Sequence, residues 1–149
     1  MSWPPSFWIS AGLGPGSAGR YDRLIALSGS GWFATGPFVA GLRRSFVSAL
    51  EYGDSADDLA LLVGARTPPG PFALIGALGY SGLSINCDGG APCPKGFSTN
   101  RENALAFSLQ ARASLSIIGV GVEVFGASGS GMRRFSGAVA TVQLGWFPR

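Results

Sequence analysis

Successive side chains on a strand point to opposite faces, so a chain whose large apolar residues occupy every second position, segment after segment, is committed to β structure. Leu105, Phe107, Leu109, Ala111 and Ala113 alternate with Ala106, Ser108, Gln110 and Arg112. Val120, Val122 and Val124 alternate with Gly119, Gly121, Glu123 and Phe125, and Ala138, Ala140, Val142, Leu144 and Trp146 with Val139, Thr141, Gln143 and Gly145. The same period runs through Phe7 to Gly14, Ile25 to Phe33, Phe38 to Leu50, Leu59 to Arg66 and Phe72 to Ser81, which makes eight segments. One residue breaks the pattern. Arg44 falls on the apolar face, where a β-bulge or a position near a rim is expected.

The polarity of the two faces decides what the eight strands enclose. A water-soluble barrel or sandwich hides its large aliphatics and shows charge. Here the bulky face carries no charge except Arg44, while Arg43, Arg66, Arg112 and Glu123 share the other face with Gly, Ala and Ser. Only 13% of residues are charged, 46% are hydrophobic, and the mean hydropathy is +0.29. The pattern predicts an all-β fold, an eight-stranded antiparallel up-and-down transmembrane β-barrel over residues 1–149 as a single domain, apolar outside and small and polar inside. Membrane-spanning helices do not fit. The long uncharged stretches 24–42 and 67–87 are interrupted by Gly29, Gly31, Gly36 and Pro37, and by Pro68, Pro69, Gly70 and Pro71.

Connections read as Pro15 to Asp22, Ala34 to Pro37, Tyr52 to Asp58, Thr67 to Pro71, Asn86 to Asn103, Ser114 to Ile117 and Ala127 to Arg134 alternate longer and shorter, which puts both termini on the short-turn side. Aromatic residues collect towards strand ends. Trp8, Trp32, Trp146 and Phe147, with Trp3, Phe7, Phe33, Phe38 and Phe72, map to the short-turn side. Tyr21, Tyr52 and Tyr80, with Phe97, Phe107, Phe125 and Phe135, map towards the long loops. Two aromatic girdles are expected from this placement.

From Phe7 to Phe147 the chain resembles the small eight-stranded bacterial outer-membrane β-barrels of the OmpA/OmpX type. Its last strand, Val142 to Phe147, is similar to the aromatic-terminated strand that such proteins present to their insertion machinery, here followed by Pro148 and Arg149. The resemblance implies a Gram-negative outer membrane with both termini periplasmic, lipid as the surrounding partner with contact to lipopolysaccharide, and a monomer. Met1 to Pro5 show neither a basic start nor an apolar run, so a mature chain with an added Met is expected.

The chemistry the residues permit is narrow. With no His, Ser-His-Asp and Cys-His catalysis and most catalytic metal sites drop out. Small barrels that modify outer-membrane lipids resemble hydrolases or acyltransferases that use a His, and Asp57 and Asp58, adjacent on an expected loop, point apart in an extended chain. No enzyme activity, cofactor or metal is expected. The net charge of +3 is scattered among acids, with no basic stripe for nucleic acid. Gly12-Leu-Gly14-Pro-Gly16 lacks the helix and the Lys of a phosphate cradle. Cys87 and Cys93, in the longest loop, suit a disulfide. Arg112 and Glu123 flank the Ser114 to Ile117 turn, both inward, and are expected to pair across strands within a luminal cluster that includes Arg43 and Arg66, satisfying buried charge rather than gating. The leading function is a structural or surface-exposed outer-membrane barrel with a small polar lumen. The first alternative is a narrow conduit or carrier for a small or hydrophobic molecule, since inward positions are rich in Gly, Ala and Ser. The second is a soluble or self-assembling β-protein.

Overall fold

The alternating segments become eight strands in the computed structural model, which describes residues 3–18, 21–48, 55–86, 102–129 and 134–148. They are β1 (Ser6–Ala18), β2 (Tyr21–Thr35), β3 (Phe38–Ser48), β4 (Ser55–Arg66), β5 (Phe72–Asn86), β6 (Glu102–Leu115), β7 (Ile118–Ser128) and β8 (Arg134–Trp146). Each pairs antiparallel with its sequence neighbours. β1 pairs with β8 through Phe7↔Trp146 and Ala11↔Val142, which closes the sheet into a barrel and removes every edge.

Register follows from the tight turns. Gly36-Pro37 joins β2 to β3, with Gly36 at φ 57° and Thr35 opposite Phe38. A positive φ at the first turn position followed by a Pro is the geometry of a type II′ hairpin, whose twist matches that of the strands it joins. Ser116-Ile117 does the same between β6 and β7, with Ser116 itself at φ 52°. The Gly145 amide donates to the Ile117 carbonyl at 3.0 Å and the Phe147 amide to that of Ser116 at 3.0 Å, so the last strand is fastened to this turn.

Several strands run further than the alternation indicated. β1 continues through Pro15 to Ala18, and Asp57 and Asp58, expected in a loop, lie inside β4. The ladder is unbroken at Arg44, which is exposed in the loop-side half of β3 opposite Gly29 and Leu59. No bulge accommodates it. Gly29 leaves the space on its own outward face open, with no atom within 4 Å of where a side chain would start, and a long cation beside that gap needs no kink in the strand. The register shift in this part of the barrel falls in β1, between Gly16 and Ser17.

The burial pattern inverts that of a soluble domain. Phe72, Tyr80 and Leu61 are 75%, 73% and 64% exposed on the outer wall, whereas Trp8 is 1% and Arg43 0% exposed inside. The core is the lumen. It is less small and less polar than the Gly, Ala and Ser content implied, because Trp8, Trp32, Leu62, Ile75, Leu83, Phe125, Phe135 and Val139 all project into it. Some luminal glycines are what make those rings fit. A Cβ on Gly41 would lie 2.3 Å from the Trp32 ring, and one on Gly137 would lie 2.6 Å from the ring of Phe125. At Gly41 and Gly137 the space a side chain would take is filled by an aromatic ring, whereas at Gly64, Gly79 and Gly121 it is filled by the backbone of the neighbouring strand.

Candidate functional site

The interior polar residues form two groups at different heights. In the middle, Arg43 of β3 donates through Nη2 to Asp58 Oδ2 of β4 at 2.8 Å, and both side chains are fully buried. Its Nη1 reaches the Phe107 carbonyl of β6 at 2.6 Å and its Nη2 the Gly126 carbonyl of β7 at 3.5 Å. The guanidinium lies 4.9 Å from the centre of the Phe125 ring. With β3 and β7 on opposite walls, this one side chain bridges the lumen. Asp58 also accepts from Ser81 at 3.0 Å.

Glu123 of β7 is buried beside this pair but holds only hydroxyls. Ser108 donates to one carboxylate oxygen at 2.7 Å and Ser28, from across the lumen, to the other at 3.5 Å. Among the described residues Glu123 forms no ion pair with Arg43, whose guanidinium is taken by Asp58. The expected Arg112–Glu123 partnership does not form. Register places Gln110 opposite Glu123 and Arg112 opposite Gly121, one inward position nearer the turn.

Arg112 belongs to the second group, at the short-turn mouth. Its guanidinium carbon sits 4.4 Å from the Trp8 ring centre and 4.5 Å from that of Phe147. Stacking of a desolvated cation on aromatic rings contributes about 2 kcal/mol. The Nε and Nη1 of Arg112 are buried without partners among the described residues, each a cost of about 1–3 kcal/mol. Arg66 at the same mouth donates from Nε to the Gly36 carbonyl at 3.0 Å, from Nη1 to the Ser6 hydroxyl and from Nη2 to the Pro4 carbonyl at 3.1 Å, with Trp3 5.8 Å away. The four expected luminal charges therefore all face inward, but split into Arg43 and Glu123 above and Arg66 and Arg112 below. Asp58, the main partner of Arg43, was missed. Its signal was available in parity, since it shares a face with Ala56, Ala60 and Leu62.

The aromatic assignments divide the same way. Trp146 is outward and directly neighbours Phe7, which neighbours Phe33, so these three with Phe38 and Phe72 form an exposed belt at the short-turn end. Tyr80 and Phe107 are outward on the loop side. Trp8, Trp32 and Phe147 are not girdle residues. Their positions share the inward face, where Trp8 and Trp32 stack with centres 6.1 Å apart and Phe147 packs 6.2 Å from Trp8. Phe125 and Phe135, also expected in a girdle, are buried inside with centres 5.6 Å apart. Tyr52, Phe97, Cys87 and Cys93 lie outside the described residues, as does the side chain of Tyr21. Among the described residues no group of His, Cys, Asp and Glu is arranged to hold a metal.

A closed antiparallel barrel of eight strands with an apolar exterior has solved counterparts. Neisserial surface protein A aligns with a TM-score of 0.65 at 9% identity, over 94% of this chain and 96% of its own. The N-terminal β-barrel domain of Pseudomonas aeruginosa OprF aligns with a TM-score of 0.63 at 12% identity, over 95% of this chain and 97% of its own. This chain has the fold of the small eight-stranded outer-membrane β-barrels. The outer membrane enzyme PagL also shares the architecture, with a TM-score of 0.57 at 11% identity over 92% of this chain and 98% of its own. The fold is thus common to surface proteins and to an enzyme, and does not by itself choose between them. No family model matches the chain, and no curated protein matches it in sequence.

Proposed function

We propose that this chain is a lipid-embedded outer-membrane barrel with a plugged interior, a structural or surface-exposed protein that neither conducts nor catalyses. The observation that carries the reading is the filled lumen. The Trp8–Trp32 stack closes the short-turn end, Arg43 crosses the middle to Asp58 and to carbonyls on the far wall, and Phe125 and Phe135 occupy the level beyond. Strands of 11 to 15 residues are long enough to cross a bilayer when tilted, and the outward Phe7–Phe33–Trp146 belt suits a membrane interface. A chain without His has no ordinary proton shuttle at neutral pH, which favours a non-catalytic role. The short-turn end, with both chain ends, is assigned to the periplasm.

Purified protein folded in detergent should migrate differently on a gel before and after boiling, as closed barrels do. Reconstituted into a planar bilayer in concentrated potassium chloride, it should give no stepwise current. Regular single-channel steps from folded protein would overturn the plugged reading and restore the conduit. Solubility without detergent as a folded species would overturn the membrane assignment itself.

A further inference from the structure

On the outer wall, at the long-loop end, β5 to β8 hold an open groove of about 360 Å³ lined by Leu78, Leu105, Phe107, Ser128, Arg134 and Ser136. Register explains it. Leu78 is opposite Phe107, Phe107 opposite Gly126 and Gly126 opposite Ser136, while Leu105 is opposite Ser128 and Ser128 opposite Arg134. Two rows of outward positions thus cross the strands, bulky on β5 and β6, then small on β7. The Phe107 ring leans onto Gly126, where a Cβ would lie 2.6 Å from it. The step down from the ring to the serines is the groove.

Height gives the groove its polarity. β8 runs 13 residues from Arg134 to Trp146 of the short-turn belt. At about 2.6 Å of height per residue of a tilted strand, Arg134 stands about 30 Å above that belt, beyond an apolar band about 25 Å tall. Leu78 stands only about 15 Å above Phe72 of the same belt, within the band. The groove therefore climbs from the acyl region to the headgroup level, apolar below and cationic at the top. Among the described residues no carboxylate lines it, and Arg134 has no ion-pair partner. Ser136 shares a hydrogen bond of 2.8 Å with Ser17, and such a pair of hydroxyls keeps one hydrogen to donate.

We propose that this groove holds one lipid of the long-loop leaflet that carries an anionic phosphate headgroup. Its acyl chain lies along Leu78, Phe107 and Leu105, and its phosphate is received by Arg134 with Ser128 and Ser136 beside it. A guanidinium fork and hydroxyls on two strands need an acceptor with oxygens in several directions, which a phosphate supplies. The apolar length below the cation selects an amphiphile over a free anion. The site rests on the outer-membrane reading proposed above.

Protein folded in maltoside, a detergent without charge or phosphate, is titrated with dipalmitoyl phosphatidylglycerol and, separately, with phosphatidylcholine and diacylglycerol of the same chains. Native mass spectrometry counts the lipid retained. One phosphatidylglycerol per barrel is expected, bound about tenfold more tightly than phosphatidylcholine, with diacylglycerol weakest. Arg134→Gln should weaken phosphatidylglycerol about tenfold and bring it level with phosphatidylcholine, and Ser136→Phe, which fills the groove, should weaken both. Arg44→Gln, whose cation is on β3 away from the groove, should change neither. The boiled and unboiled gel shift reports that each variant folds, and if Ser136→Phe does not, Arg134→Gln decides. Equal affinity for the three lipids, retention of phosphatidylglycerol by Arg134→Gln as by wild type, or its displacement by an equal concentration of inorganic phosphate overturns the site. The two readings fail separately. A barrel that folds without detergent overturns the membrane assignment, whereas a detergent-folded barrel without lipid preference overturns this groove alone.

Discussion

Replacing Asp58 with Ala removes the sole carboxylate that Arg43 touches among the described residues, and the structure sets how much this should cost. Two hydrogen bonds disappear, from Arg43 at 2.8 Å and from Ser81 at 3.0 Å, and a guanidinium with no exposure to water loses its counter-charge. Breaking a buried pair by deleting one member costs about 3–5 kcal/mol, chiefly because the surviving charge stays buried. The remaining partners compensate in part, which keeps the loss below the upper end of that range. The Phe107 carbonyl at 2.6 Å and the face of Phe125 still hold the cation, so about 3 kcal/mol is the expected loss of unfolding free energy. The double variant Asp58→Ala with Arg43→Met removes both charges and should recover a large part of that, since an apolar chain of similar length fills the same space. Urea titrations in detergent, read by tryptophan emission and by gel mobility, give both values and hence the coupling. If Asp58→Ala falls within about 0.5 kcal/mol of wild type, the pair is either hydrated or absent and the bridging role of Arg43 is wrong. If the double variant loses the sum of the two single losses, the two residues act independently, which would contradict the 2.8 Å contact.

Glu123→Ala should also destabilise the protein more than Asp57→Ala, because Glu123 is buried on hydroxyls and Asp57 is half-buried, but less than Asp58→Ala, since it leaves no cation unpaired; the same titration orders the three. Gly41→Ala, whose new methyl group would meet the Trp32 ring, should cost about 1–3 kcal/mol and disturb the Trp8–Trp32 stack, visible in near-ultraviolet circular dichroism. Ser116→Gly should stabilise by about 0.5–1 kcal/mol, because Gly relieves the penalty of φ 52°, less its own loss of backbone entropy; an unchanged or lower midpoint would mean the Ser side chain contributes to the turn. In brominated lipid, tryptophan emission should be quenched chiefly through outward Trp146, so Trp146→Phe should abolish most of the quenching and Trp32→Phe should not.

Parity made the fold legible. Alternation assigned inward and outward faces correctly along all eight strands, because a one-residue slip would have turned every apolar side chain to the wrong side. Parity also held the correction to the girdle, since Trp8, Trp32, Phe125 and Phe135 fall on inward positions. Placing them at an interface weighted the chemistry of the ring over the direction of its Cβ. Asp58 was hidden by the Gly53, Asp54 and Ser55 that precede it, residues whose turn preference extended the apparent loop into β4. The false pairing of Arg112 with Glu123 had a different origin. Once Leu115 and Ile118 are opposite across the Ser116-Ile117 turn, Gln110 must face Glu123, so the pairing followed from turn length and not from charge.

What parity cannot reveal is how far a side chain reaches across a closed space. Arg43 crosses from β3 to carbonyls of β6 and β7, and Ser28 of β2 meets Glu123 of β7. Both contacts join residues far apart in the chain and unpaired in the ladder. The constraint on the two walls is correspondingly unequal. An outward Leu can give way to Val or Ile with little consequence, because a fluid or disordered neighbour adapts to either shape. An inward Gly41 or Gly137 cannot accept even a methyl group without moving a ring, since the lumen is bounded on all sides by backbone fixed in the ladder. The singular structure of this barrel is therefore specified from within, by glycines that admit aromatic rings and by the single ion pair described, while its outer face need supply only apolar surface at every second position.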